Sequence, residues 1–519
     1  MGSILAFAIY EFNSGVAFQV SALIGVGLLF AYLVHSHILQ IPSYFVTFIT
    51  GFSTPLITNL VLVLVFVGMG LKMGWQARSF MGGDGLRIFS AATVMAFADI
   101  IPGAILFGFL CQFIFGWPWA YGALVGTLMG ETSAAVVVPY VDHIMNLSKE
   151  KGSSNAHASK LTNVLKLEST LNSITLLLFL VLFYNIIDIG NVNPTAASFI
   201  STTWSSFLQV VTLHWPVLLL VIAGIPVAVY LSSRLLVIAI KAKLVDRDSR
   251  KLKVTAVFSM NEFMLPRNHS TQEFGEKQFR IGMMMYGIIL GIALLIYETI
   301  QTQPATSFAG FGRSLFSLMA LLYLGFFLGY LFPGSSATTS DSIAEQTGKQ
   351  AFTGMMLFHE EFELLARIVF YFSIGVSLGF MILSPLTGSQ AISSGAWTGI
   401  LAMAIIMGPI FLLLRYISGL VGLPITFYSR YRHDSYRKDF RLVATTMPKG
   451  ITVAAVAVLI LQSGVEFSSE IYILALLAVV ISTVGFTVIS SLRMRPARAR
   501  ISGSDTQQSQ SESPEISEN

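Results

Sequence analysis

Two stretches of this chain carry acidic and small polar residues within surroundings that are almost entirely apolar. The first reads MGETSAAVVVP (Met129–Pro139), and the second reads LKLESTLNS (Leu165–Ser173). An ionisable group buried in a bilayer costs about 3 kcal/mol or more, which makes such a group a candidate for function. A carboxylate next to hydroxyl and amide groups can bind a hard monovalent cation, and the same carboxylate can take up a proton.

Glu131, Thr132 and Ser133 form the first candidate group. If the helix is interrupted here, an extended segment places Glu131 and Ser133 on the same side. Thr132 and the freed main-chain carbonyls then add oxygen ligands, which suit a partly dehydrated monovalent cation. Competition between this cation and a proton for Glu131 would couple their movements. The alternative is that Glu131 caps a half-helix or pairs with a basic group.

Glu168, Ser169, Asn172 and Ser173 form the second candidate group, one span later. Glu168 and Asn172 are four residues apart and therefore share a helix face. Asn172 can both donate and accept hydrogen bonds next to interrupted backbone. The hydroxyl of Ser173 can bind a cation, but it cannot carry a proton at physiological pH.

Arg367 is the basic residue that most needs a partner, because an arginine stays charged at any depth. Glu363, four residues earlier, is the local candidate, and Glu168 is the distant one. The favoured interpretation is a structural ion pair that holds helices together, with either carboxylate as the partner.

Three further positions are ambiguous in the sequence. Lys449 either extends its amine to the cytoplasm, which is favoured, or supports the ion site. Asp99 is a lone acid that either caps a kink or takes part in function. The run His359–Glu361 is typical of a solvated helix start, with a pH-sensitive cytoplasmic surface as the alternative.

The composition indicates a polytopic helical membrane protein. Of 519 residues, 54% are hydrophobic and only 11% are charged, with a mean hydropathy of +0.73. Soluble domains carry about 25% charged residues, and the apolar runs do not alternate as they would in a transmembrane barrel. No phosphate loop, metal-spaced His/Cys set or nucleophile–base pair occurs, so neither an enzyme nor a cofactor is predicted. The net charge of +4 is attributed to cytoplasmic loops and does not predict a nucleic-acid partner.

The apolar runs predict about thirteen transmembrane helices of roughly 20 residues. They lie near Val16–Val34, Leu39–Thr54, Asn59–Gly74, Ile88–Gly116, Trp119–Val141, Leu161–Ile187, Val210–Ala242, Phe279–Ile300, Ser314–Phe332, Glu363–Leu383, Gly395–Leu423, Leu442–Gln462 and Ile471–Leu492. Basic residues concentrate in the loops after odd-numbered spans, which places the N-terminus outside and the C-terminus in the cytoplasm of a multi-pass cell-membrane protein.

The odd number of spans predicts two inverted six-helix repeats joined by a linker helix, a common transporter design. Within a transmembrane domain at residues 1–500, repeat 1 takes about 16–187, the linker helix about 210–242 and repeat 2 about 279–492. Residues 243–278 form a basic cytoplasmic connector, and residues 501–519 form a disordered cytoplasmic tail.

The fifth span of each repeat is predicted to be broken, and the two are predicted to cross. The first contains GETSAAVVVP and the second TTMPKGITVAA (Thr445–Ala455). Both combine threonine with glycine or proline deep in a span, where the freed backbone groups need a cavity or protein partners.

Several segments resemble the monovalent cation/proton antiporter superfamily, and within it the NhaP-type sodium/proton exchangers. The resemblance extends over about residues 59–492 and rests on five segments that follow the family's order. These are FVGMGLK (Phe66–Lys72), GETSAAVVVP, LKLESTLNS, FHEEFELLARIVFYFSIG (Phe358–Gly375) and MPKGITVAA. The resemblance implies thirteen helices with inverted repeats, a homodimer, and a core part that moves against a dimerisation part to give alternating access.

Site residues can be carried over by position. Thr132 matches the threonine of the span-five break, and Ser133 matches the aspartate that often follows it. Glu168 matches the span-six glutamate, which in the family pairs with the arginine matched here by Arg367. Ser169 and Asn172 match polar residues of the site.

Ser173 departs from the family pattern, because the family usually has its ion- and proton-binding aspartate there. Either Glu131 has become the carrier, which is favoured, or Glu168 titrates when Arg367 releases it, or proton exchange has been lost. The expected function is exchange of Na⁺ or K⁺ for H⁺ across a lipid bilayer, with no metal bound beyond the transported cation. The alternatives are a non-transporting membrane receptor or scaffold and a proton-uncoupled cation pathway.

Overall fold

A computed structural model of the chain describes residues 16–42, 54–77, 83–133, 156–188, 308–331, 343–383, 394–427 and 442–486, with isolated positions beyond them. Apart from turns and short non-helical segments these residues are helical, with no strand among them, which confirms the predicted all-α class for the described part of the chain. The helices are α1 (Val16–His35), α2 (Thr54–Ala77), α3 (Gly83–Phe115), α4 (Trp119–Gly130), α5 (Ala156–Asp188), α6 (Phe308–Leu331), α7 (Ile343–Leu383), α8 (Ser394–Phe427), α9 (Ile451–Ser463) and α10 (Ser468–Phe486).

Six of these helices are long and apolar enough to cross a membrane, namely α2, α3, α5, α7, α8 and α10. The predicted spans near Leu39–Thr54, Val210–Ala242 and Phe279–Ile300 lie largely outside the described residues. So do the predicted connector and the predicted tail. The total of thirteen spans therefore stays a prediction.

The predicted start of span ten is wrong. Helix α7 begins at Ile343, well before Glu363, so the run His359–Glu361 lies within a continuous helix. His359 is buried, whereas Glu360 and Glu361 are exposed, so the predicted helix start is wrong and the predicted solvation holds only for the two glutamates. The apolar run marks only the part of α7 that is hydrophobic. The first turns of α7 are polar, and because a helix can form from polar residues, the helix begins before the apolar run.

Both helices that the sequence predicts to be broken are interrupted. Helix α4 ends at Gly130, residues 131–133 are extended, and the amides of Val136 and Val137 then donate to the carbonyl of Ser133 at 3.2 and 2.9 Å. The second interruption covers residues 446–450, directly before α9. It contains Pro448, which has no N–H to donate to a helix.

Close backbone contacts between glycines set the position of α4. Helix α3 packs against α4, α5 and α8 and is thus the central element around the two interruptions. A Cβ added at Gly126 of α4 would lie 2.2 Å from the carbonyl oxygen of Gly103 in α3, and one added at Gly130 would lie 2.6 Å from the Cα of Ile100. Small residues of this kind let membrane helices approach closely, and here they bring the end of α4 next to Asp99.

The variant Gly126→Val is expected to destabilise the protein by about 1–3 kcal/mol or more, since its side chain would meet backbone that cannot move aside. The thermal unfolding midpoint of the detergent-purified protein measures this effect. Gly25→Val is the matched control, because a Cβ at Gly25 meets nothing within 4 Å. Equal midpoints for the two variants would contradict the α3–α4 packing.

Candidate functional site

The two helix interruptions contact each other directly. The amide of Ser133 donates a hydrogen bond to the carbonyl of Pro448 at 2.8 Å. A Cβ added at Gly450 would lie 2.4 Å from the hydroxyl oxygen of Ser133, so only glycine fits there without displacement. Extended backbone from the end of α4 therefore lies against the start of α9, and the two segments satisfy part of each other's hydrogen-bonding capacity.

Glu131 lies at this contact with its side chain fully buried. Its Oε1 accepts a hydrogen bond from the hydroxyl of Ser173 at 3.1 Å, and its Oε2 accepts one from the amide of Gly450 at 3.4 Å. That amide belongs to the N-terminus of α9, the positive end of the helix dipole, which favours a carboxylate. Among the ion pairs between described residues, none includes the carboxylate of Glu131.

Lys449 is also buried, with 1% of its surface exposed. Its Nζ donates to the main-chain carbonyl of Glu131 at 2.6 Å and lies 4.9 Å from the centre of the Phe411 ring. The favoured interpretation that its amine extends to the cytoplasm is therefore wrong. The ammonium instead lies at the C-terminus of α4, where the helix dipole favours a positive charge. Glu131, Ser173, Lys449 and Gly450 are called the Glu131 pocket below.

Arg415, from the middle of α8, is the centre of a second group of buried charges. Its Nη1 and Nη2 donate to the two oxygens of Glu168 at 2.9 and 3.2 Å, a two-pronged pairing. Nη1 also pairs with the carboxylate of Asp99, and Nη2 donates to the hydroxyl of Thr446 at 2.8 Å. Asp99, Glu168, Arg415 and Thr446 are called the arginine cluster below.

The predicted ion pair between Glu168 and Arg367 is not formed. Arg367 pairs with Glu363, four residues earlier on α7, and Glu168 pairs with Arg415. The packing of the helices explains this exchange of partners, because α7 packs against α1 and α2, whereas α8 packs against α3, the neighbour of α5.

Arg415 was missed in the sequence. A single arginine in the apolar run FLLLRYISG (Phe411–Gly419) meets the same criterion of a buried charge that identifies Glu131.

Asn172 connects the two groups. Its Nδ2 lies 3.1 Å from the hydroxyl of Thr132, 3.2 Å from Glu168 Oε1 and 3.4 Å from Asp99 Oδ2. It also lies 3.2 Å from the carbonyl of Gly130. An amide nitrogen has two hydrogens to donate, so these acceptors outnumber the donors that it offers.

Two buried oxygen atoms next to this amide accept no hydrogen bond. They are Oδ1 of Asn172 and Oδ1 of Asp99. Buried polar atoms without a partner are rare in native proteins, and each one calls for an explanation. Unpartnered oxygen acceptors of this kind suit the ligation of a monovalent cation.

The other predicted site residues are buried nearby, in different roles. The hydroxyl of Ser169 donates to the carbonyl of Lys166 within α5 at 2.9 Å. The side chain of Ser133 lies against Gly450, as described above. The structure therefore brings together Glu131, Thr132, Asn172 and Ser173 most closely, and adds Asp99, Lys449 and Arg415 to them.

The buried charges do not cancel. The Glu131 pocket and the arginine cluster contain three carboxylates, Asp99, Glu131 and Glu168, against two cationic groups, Lys449 and Arg415, and each of the five side chains is at most 1% exposed. With all five ionised, one negative charge is in excess. An uncompensated charge is very unfavourable in a desolvated site, so one proton or one monovalent cation is needed to balance it.

No protein-family model matches the chain, and no curated protein matches it. Among solved structures, the chain is similar to the sodium proton antiporter MjNhaP1 from Methanocaldococcus jannaschii at pH 8. The two are 15% identical, the match covers 94% of this chain and 100% of that chain, and the TM-score is 0.47.

Proposed function

We propose that the chain is a secondary active transporter that exchanges Na⁺ or K⁺ for H⁺ by alternating access. The observation that supports this most strongly is the single excess negative charge in a fully buried site at two helix interruptions. Glu131 is the carboxylate of that site without an ion pair among the described residues. It is therefore the group on which a proton and a cation compete.

The proposed cation ligands are oxygen atoms around the Glu131 carboxylate. They come from Glu131, Thr132, Ser133, Ser169, Asn172 and Ser173, as the sequence predicts, together with Asp99. The orphaned oxygens of Asn172 and Asp99 support this set, because a cation would supply the partner that both lack. Arg415 holds Glu168 in place through two hydrogen bonds, so that Glu168 positions Asn172 and is not itself the carrier.

The charge count also supports electroneutral exchange of one cation for one proton. Either ligand alone balances the excess charge, whereas both together would leave the buried site positive. The site would thus be stable when it holds one of them, which is the condition for obligatory exchange.

The larger architecture belongs to the same proposal. Two inverted repeats, a homodimer and an N-terminus on the outside follow from the sequence patterns, and the contact between the interrupted segments 131–133 and 446–450 supports the repeats. Chemical cross-linking in the membrane and the accessibility of cysteines introduced near the termini test the dimer and the orientation.

Exchange can be measured in proteoliposomes that contain a pH-sensitive dye. Na⁺, K⁺ or Li⁺ is added outside. The membrane voltage is clamped with valinomycin and K⁺ in the Na⁺ and Li⁺ experiments and with a lipophilic ion in the K⁺ experiment. A cation-driven rise in internal pH that has the same rate with and without the clamp supports electroneutral antiport, whereas a rate that increases under the clamp indicates electrogenic exchange. Cation uptake without a pH change would favour the proton-uncoupled pathway, and no flux of any cation would favour the non-transporting receptor.

The variant Lys449→Gln is expected to lower the KM for the transported cation by about tenfold at alkaline pH, where the proton does not compete with the cation at Glu131. Glutamine can still donate to the Glu131 carbonyl, but the site then has a second excess negative charge. A unit charge at several ångströms contributes roughly 2–3 kcal/mol at an effective dielectric constant of 20, and about 1.4 kcal/mol corresponds to a factor of ten. Lys449→Arg, which keeps the charge, is the control. An unchanged or higher KM in Lys449→Gln would contradict the assigned role of this charge.

A further inference from the structure

The ammonium of Lys449 lies beside Glu131 without pairing with its carboxylate. The Nζ of Lys449 donates to the main-chain carbonyl of Glu131 at 2.6 Å. Among the ion pairs between described residues, however, none joins this ammonium to the Glu131 carboxylate. Opposite charges attract strongly in a desolvated site, so a direct pair is expected unless another group holds the ammonium elsewhere. Such a pair would occupy the carboxylate that the proposed exchange needs.

The backbone of Lys449 is fixed independently of its amine. Its main-chain amide donates to the hydroxyl of Ser482 in α10 at 2.8 Å, and Ser482 is itself fully buried. The lysine side chain is a flexible four-carbon stem, which can direct its ammonium to more than one acceptor. The position of the charge is therefore decided by the groups around Nζ and not by the course of the backbone.

The ring of Phe411 lies against this ammonium. Nζ of Lys449 lies over the ring at 4.9 Å from its centre, and Phe411 is fully buried on α8. The face of an aromatic ring carries partial negative charge, and its attraction for a cation is greatest where water is excluded. Phe411 precedes Arg415 by four residues and therefore shares a face of α8 with it. One helix thus contacts both cationic groups of the site.

The carbonyl and the ring together explain where the amine lies. An ammonium has three N–H groups to donate, and within the described part of the chain Nζ of Lys449 makes one hydrogen bond, to the Glu131 carbonyl. A buried charge with so few partners is poorly compensated. The ring supplies a second attraction, and with the carbonyl it provides a place for the ammonium that does not use the carboxylate.

We propose that Phe411 is a positioning residue of the transport site, whose ring holds the Lys449 ammonium on the Glu131 carbonyl and keeps it off the Glu131 carboxylate. This inference rests on the proposed function, because the carboxylate is thereby kept available to the proton and the cation. Phe411 acts through Lys449 and is a ligand of neither. When the ring attracts the ammonium less, Lys449 pairs with the carboxylate and competes with the transported cation, which raises the KM for that cation.

Replacing Phe411 with phenylalanines that carry one, two or three fluorine atoms on the ring tests this role. Each fluorine withdraws electron density from the ring face and weakens its attraction for a cation, while the shape of the side chain changes little. The KM for the cation, measured in proteoliposomes at alkaline pH, is expected to rise stepwise and to be about threefold higher or more with three fluorines. A side chain that only fills space would leave the KM constant.

The same series in a Lys449→Gln background separates the effect on the ammonium from any effect on packing. Without the ammonium, fluorination of Phe411 should leave the KM unchanged. Fluorination of Phe107 should also leave it unchanged, because this ring is equally buried on α3 and no described lysine or arginine lies over it. A constant or falling KM in the Phe411 series, or an equal rise in the Lys449→Gln background, would overturn the inference alone.

A second measurement does not depend on transport. Protein that is isotope-labelled at Cε of its lysines is studied by NMR in lipid nanodiscs, and the Lys449 resonance is identified by its absence in Lys449→Gln. The protons on Cε, the carbon bonded to Nζ, are expected to be shifted upfield by the ring current, and the shift should be lost in Phe411→Leu. A Lys449 resonance without this shift in the wild type would overturn the inference alone. Absence of cation-driven exchange in the wild type would overturn the proposed function, and the inference with it.

Discussion

Replacing Glu131 with glutamine is expected to abolish cation-driven proton movement. Glutamine keeps the size and hydrogen-bonding capacity of the side chain but can neither bind a proton reversibly nor supply the excess negative charge. A pair of unit charges about 4 Å apart is worth roughly 4 kcal/mol at an effective dielectric constant of 20. Proteoliposomes with an interior pH dye should therefore show no cation-driven pH change, and the affinity for the cation, measured by isothermal titration of the purified protein, is expected to fall by about 100-fold or more.

Two further variants make this result specific. Glu131→Asp keeps the carboxylate and should retain part of the activity. Glu466→Gln removes an exposed carboxylate outside the buried site and should behave as the wild type. Substantial exchange in Glu131→Gln would show that another group carries the proton, with Glu168 as the next candidate.

Replacing Arg415 with glutamine is expected to cause the largest loss of stability. Its guanidinium pairs with both Asp99 and Glu168, and all three side chains are at most 1% exposed. Removing one member of a buried charge pair typically costs about 3–5 kcal/mol, because the other member is left uncompensated. The thermal unfolding midpoint in detergent should therefore fall sharply, and exchange should be lost with it.

The triple variant Arg415→Gln, Asp99→Asn, Glu168→Gln tests the cause of this loss. It removes the charges of both partners together with that of the arginine, and it should regain most of the stability. Arg367→Gln is the comparison, since this arginine pairs with Glu363 and is 17% exposed. A larger loss of stability in Arg367→Gln than in Arg415→Gln would contradict the arrangement of the arginine cluster.

The two helix interruptions are the part of the site that the sequence predicts best. Thr132 follows Gly130 within an apolar run, and Thr446 precedes Pro448 and Gly450. Threonine combined with glycine or proline deep in a span indicates a break in the helix, where the freed backbone groups need a cavity or protein partners. Local composition alone is therefore enough to predict both interruptions.

The partners of the buried charges are not predictable in the same way. The pairing of Glu168 with Arg415 depends on α8 lying against α3, and no spacing along the chain encodes this contact. The arginine of α7 lies in a segment that resembles a known family, which favoured Arg367 as the partner. Arg367 instead pairs with Glu363 on its own helix, where the interval of four residues brings the two side chains together.

The depth of Lys449 and of His359 was misjudged for a common reason. Counting turns from the predicted start of a span places both residues near water. Lys449, however, lies on a non-helical segment that directs its amine to the end of α4. His359 lies on a helix that continues far beyond the apolar run and packs there against Gly68. In both cases the tertiary contact determines the burial.

The most direct test of the central claim is the number of protons released when a cation binds. Isothermal titration of the purified protein with Na⁺ or K⁺, in buffers of different ionisation enthalpy between pH 5 and 8, gives this number from the slope of the heat against the buffer enthalpy. With Glu131 as the shared carrier, the release should approach one proton per cation at the acidic end of the range and be absent in Glu131→Gln. Cation binding by the wild type without any proton release throughout the range would contradict competition at Glu131.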